Sequence, residues 1–156
     1  MIYTAFPGTG KTYAANNYYG AVDLESSDYQ WKDLKDGIES SKGENKVKND
    51  EWPLNYINAI EEANLYKNVF ISAQPIVLDI LAGDFKTFVT ITPHVSEKES
   101  YLKAYRRRGN SDKFIRQMEN HFDEYVDDLD NNNDALCHIK IEHGIHISDL
   151  IEGGII

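Results

Sequence analysis

Short apolar runs alternate with amphipathic stretches along the chain, and each change of period marks an element. Ile2-Tyr3-Thr4-Ala5-Phe6 is a β-prone run that gives way at once to Pro7-Gly8-Thr9-Gly10. Residues 11–19 read as a helix stopped by Gly20. Ala21-Val22-Asp23-Leu24 predicts a second strand. Between residues 32 and 51 only Leu34, Ile38 and Val47 are apolar. Residues 32–52 therefore read as a mobile excursion with one helical turn or two. Asp50 and Pro53 mark a helix start, continued at helical spacing by Leu54, Ile57, Ile60 and Ala63 or Asn64. Val69-Phe70-Ile71-Ser72-Ala73 is a continuous apolar run of the kind buried in parallel sheets. A short helix is expected over 76–82 and a fourth strand over 85–92. Ser96 and Glu99 have capping-box spacing for a helix through Arg107. Ser111 caps the next, whose stripe is Ile115, Met118, Phe122, Tyr125, Val126 and Leu129. Ile139 and Ile141 alternate as a last strand, and 145–151 forms a terminal strand or helix. Strands alternating with helices predict one α/β domain over 1–156, built on a parallel sheet.

Composition narrows the function classes. Of the 156 residues 16 are basic and 26 acidic, a net charge of −10. A surface that negative repels polyanions unless its bases are gathered, so a polynucleotide partner is disfavoured. The single cysteine, Cys137, excludes an internal disulfide and a cysteine-cluster zinc site, and is expected as a small buried hydrophobe. No apolar run reaches the roughly 20 residues of a membrane span, and no secretory signal fits before the first glycine. These features predict a cytoplasmic protein with no membrane partner.

The stretch that carries chemistry is Ala5-Phe6-Pro7-Gly8-Thr9-Gly10-Lys11-Thr12. It matches the phosphate-loop pattern G-x-x-x-x-G-K-[ST], with Ala5 in place of the first glycine. Gly8 and Gly10 let successive N–H groups turn toward an anion, and Lys11 supplies a positive charge for β- and γ-phosphates. Thr12 offers a hydroxyl to Mg²⁺, and the helix that starts here adds its positive end. Pro7, Gly8, Thr9, Gly10, Lys11, Thr12 and Tyr13 are thus the expected cradle for ATP.

Six of the basic residues fall between 103 and 116: Lys103, Arg106, Arg107, Arg108, Lys113 and Arg116. Transfer of a phosphoryl group needs cations near its oxygens, and arginine forks suit that geometry. Residues 96–116 are the expected helical lid, with Arg106 and Arg108 as first choices and Arg116 third; the alternative is a solvated basic face. Asp23, Glu25, Ser26 and Ser27 follow the second strand, at the sheet edge where ligands bind. Asp23 is the best candidate for a functional carboxylate, against a polar turn with an Asp cap. The strand over 69–73 ends in Ser72-Ala73-Gln74 without an Asp-Glu pair, so a hydrolytic motor is poorly supported, and no Asn-Lys-x-Asp guanine signature occurs. His138, His143 and His146 fit no zinc spacing. Trp31, Trp52 and Tyr56 flank the polar excursion as stacking or core residues.

AFPGTGKT at 5–12, VDLESSDYQW at 22–31, NVFISAQPIVLDIL at 68–81 and YLKAYRRRGN at 101–110 resemble the P-loop kinases of nucleotides, the adenylate kinase-like superfamily. The chain is most similar to small members encoded by phages and prophages of Gram-positive bacteria. The resemblance implies a three-layer fold, a five-stranded parallel sheet flanked by helices with a lid. It also implies transfer of the γ-phosphate of Mg-ATP to a nucleoside or deoxynucleoside monophosphate. By position, Gly8, Gly10, Lys11 and Thr12 hold the donor, Arg106 and Arg108 fall in the lid, and Asp23 follows strand two. The chain departs from adenylate kinases proper: Lys11 and Thr12 are adjacent, and Ser72-Ala73-Gln74-Pro75 stands where they carry Asp-Gly-Phe-Pro-Arg. An ATP-binding regulator without phosphotransfer and a kinase of a 5′-hydroxyl or small metabolite stay open as alternatives.

Overall fold

In a computed structural model, which describes residues 1–33 and 46–156, the opening apolar run becomes the central strand of a parallel sheet. The first half of the chain forms β1 (Ile2–Ala5), α1 (Lys11–Asn17), β2 (Ala21–Leu24), α2 (Ser26–Gln30), β3 (Trp31–Asp33), β4 (Lys46–Lys48) and α3 (Leu54–Asn64). The rest forms β5 (Asn68–Ile71), α4 (Pro75–Gly83), β6 (Phe88–Pro93), α5 (Lys98–Arg107), α6 (Asp112–Asp130), β7 (Cys137–Ile141) and α7 (Ile147–Glu152). The main sheet has five parallel strands in the order β2-β5-β1-β6-β7. Its register sets Leu24 and Thr4 beside Ile71, and Ala5 beside Ile91. The loops that leave β1, β2 and β5 therefore emerge at one edge.

Alternation along each strand divides the core in two. Ile2, Phe6, Val69, Ile71 and Phe88 face a cluster completed by α3, α4, α5 and α6. Tyr3, Ala5, Phe70, Val89 and Ile91 face Ala14 of α1 and Ile147 and Leu150 of α7. Helices thus cover both faces of an α/β sheet. The α6 stripe is inward as its spacing predicts, with Ile115, Met118, Phe122, Val126 and Leu129 buried, and Ser111 Oγ accepts the Phe114 N–H at 3.3 Å as the N-cap.

Several expectations change. The polar excursion begins and ends in strand: β3 and β4 pair antiparallel, Trp31 opposite Lys48. The helical turns expected there otherwise fall on residues 34–45, outside the described residues. Strand β6 starts at Phe88, because Phe85 sits in a turn at φ 56 with 95% of its surface exposed. No Ser96 capping box forms: Val95–Glu97 is a 3₁₀ turn, and α5 starts from Glu97 without a side-chain cap bond. Leu54 is exposed, while Tyr56 takes the inner position and its hydroxyl donates to Leu24 O at 2.6 Å. Tyr56 also packs against Tyr29 and Trp52, which places these aromatics in or on the core. Helix α1 ends at Asn17, and the terminal element is a helix, α7. Cys137 is exposed, because it is the first residue of β7, an edge strand whose apolar positions Ile139 and Ile141 pack against the second core cluster further along.

Candidate functional site

Where β1 ends, the chain turns back over the sheet edge through two glycines in conformations that L side chains avoid, Gly8 at φ 91 and Gly10 at φ 101. The loop is fitted closely from above. A Cβ on Gly8 would lie 3.1 Å from Tyr105 Cε1 and 3.2 Å from the Tyr101 ring. The Tyr105 hydroxyl, buried on α5, donates to Pro7 O at 2.6 Å. Thr9 is fully buried, with its hydroxyl on Phe6 O at 2.8 Å, and its own carbonyl accepts the Ile147 N–H at 3.0 Å. Contacts from α5 on one side and the start of α7 on the other hold the loop's shape.

Lys11 follows at the head of α1, 9% exposed, with Nζ donating to Ala5 O at 3.1 Å. Burial pushes its pKa down; Asp23 and Glu25 oppose that push, and Arg108 adds to it. Thr12 Oγ1 donates to Asp23 Oδ2 at 2.7 Å, while Asp23 Oδ1 is buried with no partner. Glu25 occupies the N-cap position of α2, yet its side chain makes no cap bond. It accepts instead from Ser72 Oγ at 3.4 Å. Burial of its carboxylate raises the Glu25 pKa, Lys11 works against that rise, and Asp23 and Asp28 add to it.

A cavity of about 360 Å³ opens above these residues, lined by the glycine loop, Lys11, Thr12, Glu25, Ser72 and Arg108, and closed by Tyr105, Asn110 and Phe114. Asn110 Oδ1 is a second buried oxygen with no partner. Among the described residues no group of three or more His, Cys, Asp or Glu is placed to cage a metal. None of the described helices is long and apolar enough to cross a membrane.

No protein-family model, curated protein or solved structure matches this chain.

Of the expected residues, Pro7, Gly8, Gly10, Lys11, Thr12, Glu25 and Arg108 come together around the cavity, and Asp23 lies behind Thr12. Thr9 serves the loop from beneath. Tyr13 faces a separate depression of about 330 Å³, shared with Gly144, His146 and Asp149. Ser26 is buried and accepts from Gln74 Nε2 at 3.4 Å. Ser27 is half-buried on α2, outside the cavity lining. Arg106 is directed at Glu119, 3.8 Å away, and does not line the cavity; nor does the exposed Arg116. The segment 96–116 is not a free-standing flap: Leu102, Tyr105 and Ile115 bury its helices in the core, and its turn presents Arg108 and Asn110 to the cavity.

Ser72, Tyr105, Asn110 and Phe114 also line the site, although no motif in the sequence marks them. For Ser72 the signal was its place just past an apolar strand, at the carboxyl edge. The three histidines have separate tasks. His138 Nδ1 bonds Thr90 Oγ1 at 2.8 Å, His143 pairs with Glu97, and His146 caps α7.

Proposed function

We propose that the chain is a Mg-ATP-dependent phosphotransferase. The observation that carries this reading is the buried Lys11, set behind two positive-φ glycines at the edge of the central strand and opening onto a cavity with Arg108 across it. The strand order, β2-β5-β1-β6-β7 all parallel, supports the P-loop kinase class that the motif implies. A triphosphate laid on the loop meets backbone N–H groups at Gly8 and Gly10 and the Lys11 ammonium, which neutralise β- and γ-oxygens. Binding breaks the Lys11–Ala5 contact in favour of a stronger, charge-assisted one. Arg108 supplies a second cation from the α5–α6 turn.

The site fits magnesium. Thr12 offers a hard hydroxyl oxygen whose proton is held by Asp23, and the orphaned Asp23 Oδ1 is an acceptor suited to a hydrated cation. When bound, the ion neutralises charge on the phosphoryl group. Asp23 thus supports Thr12 from β2, filling the need left by the serine at the end of β5. The acceptor side is the Glu25–Ser72 wall, where the resemblance implies a nucleoside or deoxynucleoside monophosphate.

A coupled assay of ADP release tests the reading. ADP is expected only when an acceptor is supplied with Mg-ATP, and turnover at full rate without any acceptor would refute it.

A further inference from the structure

We infer that the edge of the sheet where its strands begin is the interface of a homodimer, a strip of exposed apolar side chains that a second copy of this chain covers by two-fold symmetry. The strip lies at the opposite edge from the glycine loop, so the inference is independent of the phosphotransferase reading. Of the described residues, the four most exposed large apolar side chains are Tyr19, which is fully exposed, Phe85 at 95%, Tyr66 at 83% and Leu65 at 72%. All four sit on turns that lead from a helix into the sheet. Tyr19 falls between α1 and β2, Leu65 and Tyr66 between α3 and β5, and Phe85 between α4 and β6. Parallel strands all start at one edge, so these turns share it. Leu136, also exposed, stands just before β7 and extends the row.

The turns are tied side by side. The Asn68 N–H donates to Gly20 O at 2.7 Å, which joins the Tyr19 turn to the Tyr66 turn. Lys86, next to Phe85, pairs with Glu61 of α3 at 2.9 Å, which draws the Phe85 turn toward the end of that helix. The Leu136 N–H donates to Phe88 O at 2.8 Å. With strands about 4.8 Å apart, the row of five spans about 19 Å. Turns of this kind favour Gly, Asn, Asp and Ser, and the backbone has no need of an aromatic ring there.

Area and charge name a second copy as the occupant. A Phe or Tyr side chain buries about 150–250 Å², so Tyr19, Tyr66 and Phe85 together offer about 450–750 Å². Leu65 and Leu136 bring the strip to the roughly 800 Å² that each partner contributes to a standard stable interface. A contiguous apolar patch of that size marks an interaction surface. The chain carries a net charge of −10, so two copies repel over most of their surfaces. Turns 18–20, 65–67 and 84–87 escape that repulsion, because their charges are Lys67, Lys86 and Asp84. Strand β1 lies between β5 and β6, so a two-fold axis through it exchanges the two halves of the strip. Tyr19 and Tyr66 of one copy then meet Phe85 of the other, and Lys67 meets Asp84, in an isologous contact. Both cavities face away from the interface and stay open to ligand.

Sedimentation equilibrium of the full chain at micromolar concentration, where interfaces of this area associate, tests the inference. The expected mass is twice that of one chain. Tyr66→Glu should weaken the dimer about 30-fold or more by placing a charge among the rings. Phe85→Asn should act in the same direction, and asparagine suits the positive φ at that residue. Leu54→Glu is the control: it changes an exposed leucine at the far end of α3 and should leave the dimer as it is. Lys67→Glu should weaken association several-fold, and adding Asp84→Lys to the same chain should recover it. Circular dichroism matching the parent shows that each variant is folded. A parent that stays monomeric, or a dimer that survives both ring substitutions in folded variants, overturns the inference. So does a dimer that Leu54→Glu disrupts as strongly as Tyr66→Glu. A folded Lys67→Glu, Asp84→Lys chain that associates no better than Lys67→Glu alone overturns the two-fold arrangement.

Discussion

Gly8 shows how little freedom the loop has. Its φ of 91 is strained for any L side chain, and the space a Cβ would need is taken by the rings of Tyr101 and Tyr105. Gly8→Ala should therefore cost about 1–2 kcal/mol from the backbone alone, read as a lower denaturant midpoint. Its effect on nucleotide affinity should exceed its effect on stability, because the strained loop itself makes the contact. Lys11 stands under the opposite constraint. Burial disfavours its charge, and Ala5 O accepts from it at 3.1 Å. Such a cation raises the energy of the free protein and lowers that of a complex with an anion, a signature of binding sites rather than of cores.

At the scale of elements, the glycine loop depends on α5. The Tyr105–Pro7 bond of 2.6 Å spans from helix to loop, and Tyr105 packs edge-on against Phe114 and Tyr101. Tyr105→Phe keeps the packing and removes the bond. It should cost about 1 kcal/mol and weaken ATP binding several-fold, measured by thermal melts with and without nucleotide. This coupling was not legible in the sequence, since Tyr105 looks like any apolar position of an amphipathic helix and its partner lies 98 residues away. The elements with a strong period were legible: α6 from its stripe, β5 from its apolar run, the loop from its glycines. What failed was local. Phe85 is apolar but occupies a turn, Ser96 has cap spacing but sits in a 3₁₀ turn, and Cys137 begins an edge strand. Asp23 could be named as a functional carboxylate, but its bond to Thr12 required the register of β2 against β5 and β1. The choice between Arg106 and Arg108 required knowing which side of the α5 C-terminus meets the loop.

On the scale of the whole molecule, the tyrosines of the core set a limit at high pH. Burial raises the pKa of Tyr56 and Tyr105, and it pushes Tyr101 up to about 12. In the unfolded chain these groups ionise near pH 10, so above that pH the unfolded state holds fewer protons than the native one. Stability should fall as pH rises above about 10, by up to about 1.4 kcal/mol per pH unit for each such tyrosine. Equilibrium unfolding at pH 9 to 11 checks this, and Tyr105→Phe should flatten the decline.

The net charge of −10 belongs to the same scale, with acids along the exposed face of α6 and, among the described residues, Lys11 and Arg108 as the cations that line the cavity. Such a field favours a small, locally matched anion over a polyanion. Calorimetric titration of a non-hydrolysable ATP analogue with Mg²⁺ into the chain and into Lys11→Met tests that match most directly. The expected result is saturable binding to the parent, weakened about 10- to 100-fold in the variant, with the variant melting no lower in the absence of nucleotide. Binding that is absent from the parent, or equal in the two proteins, would contradict a triphosphate site at the glycine loop.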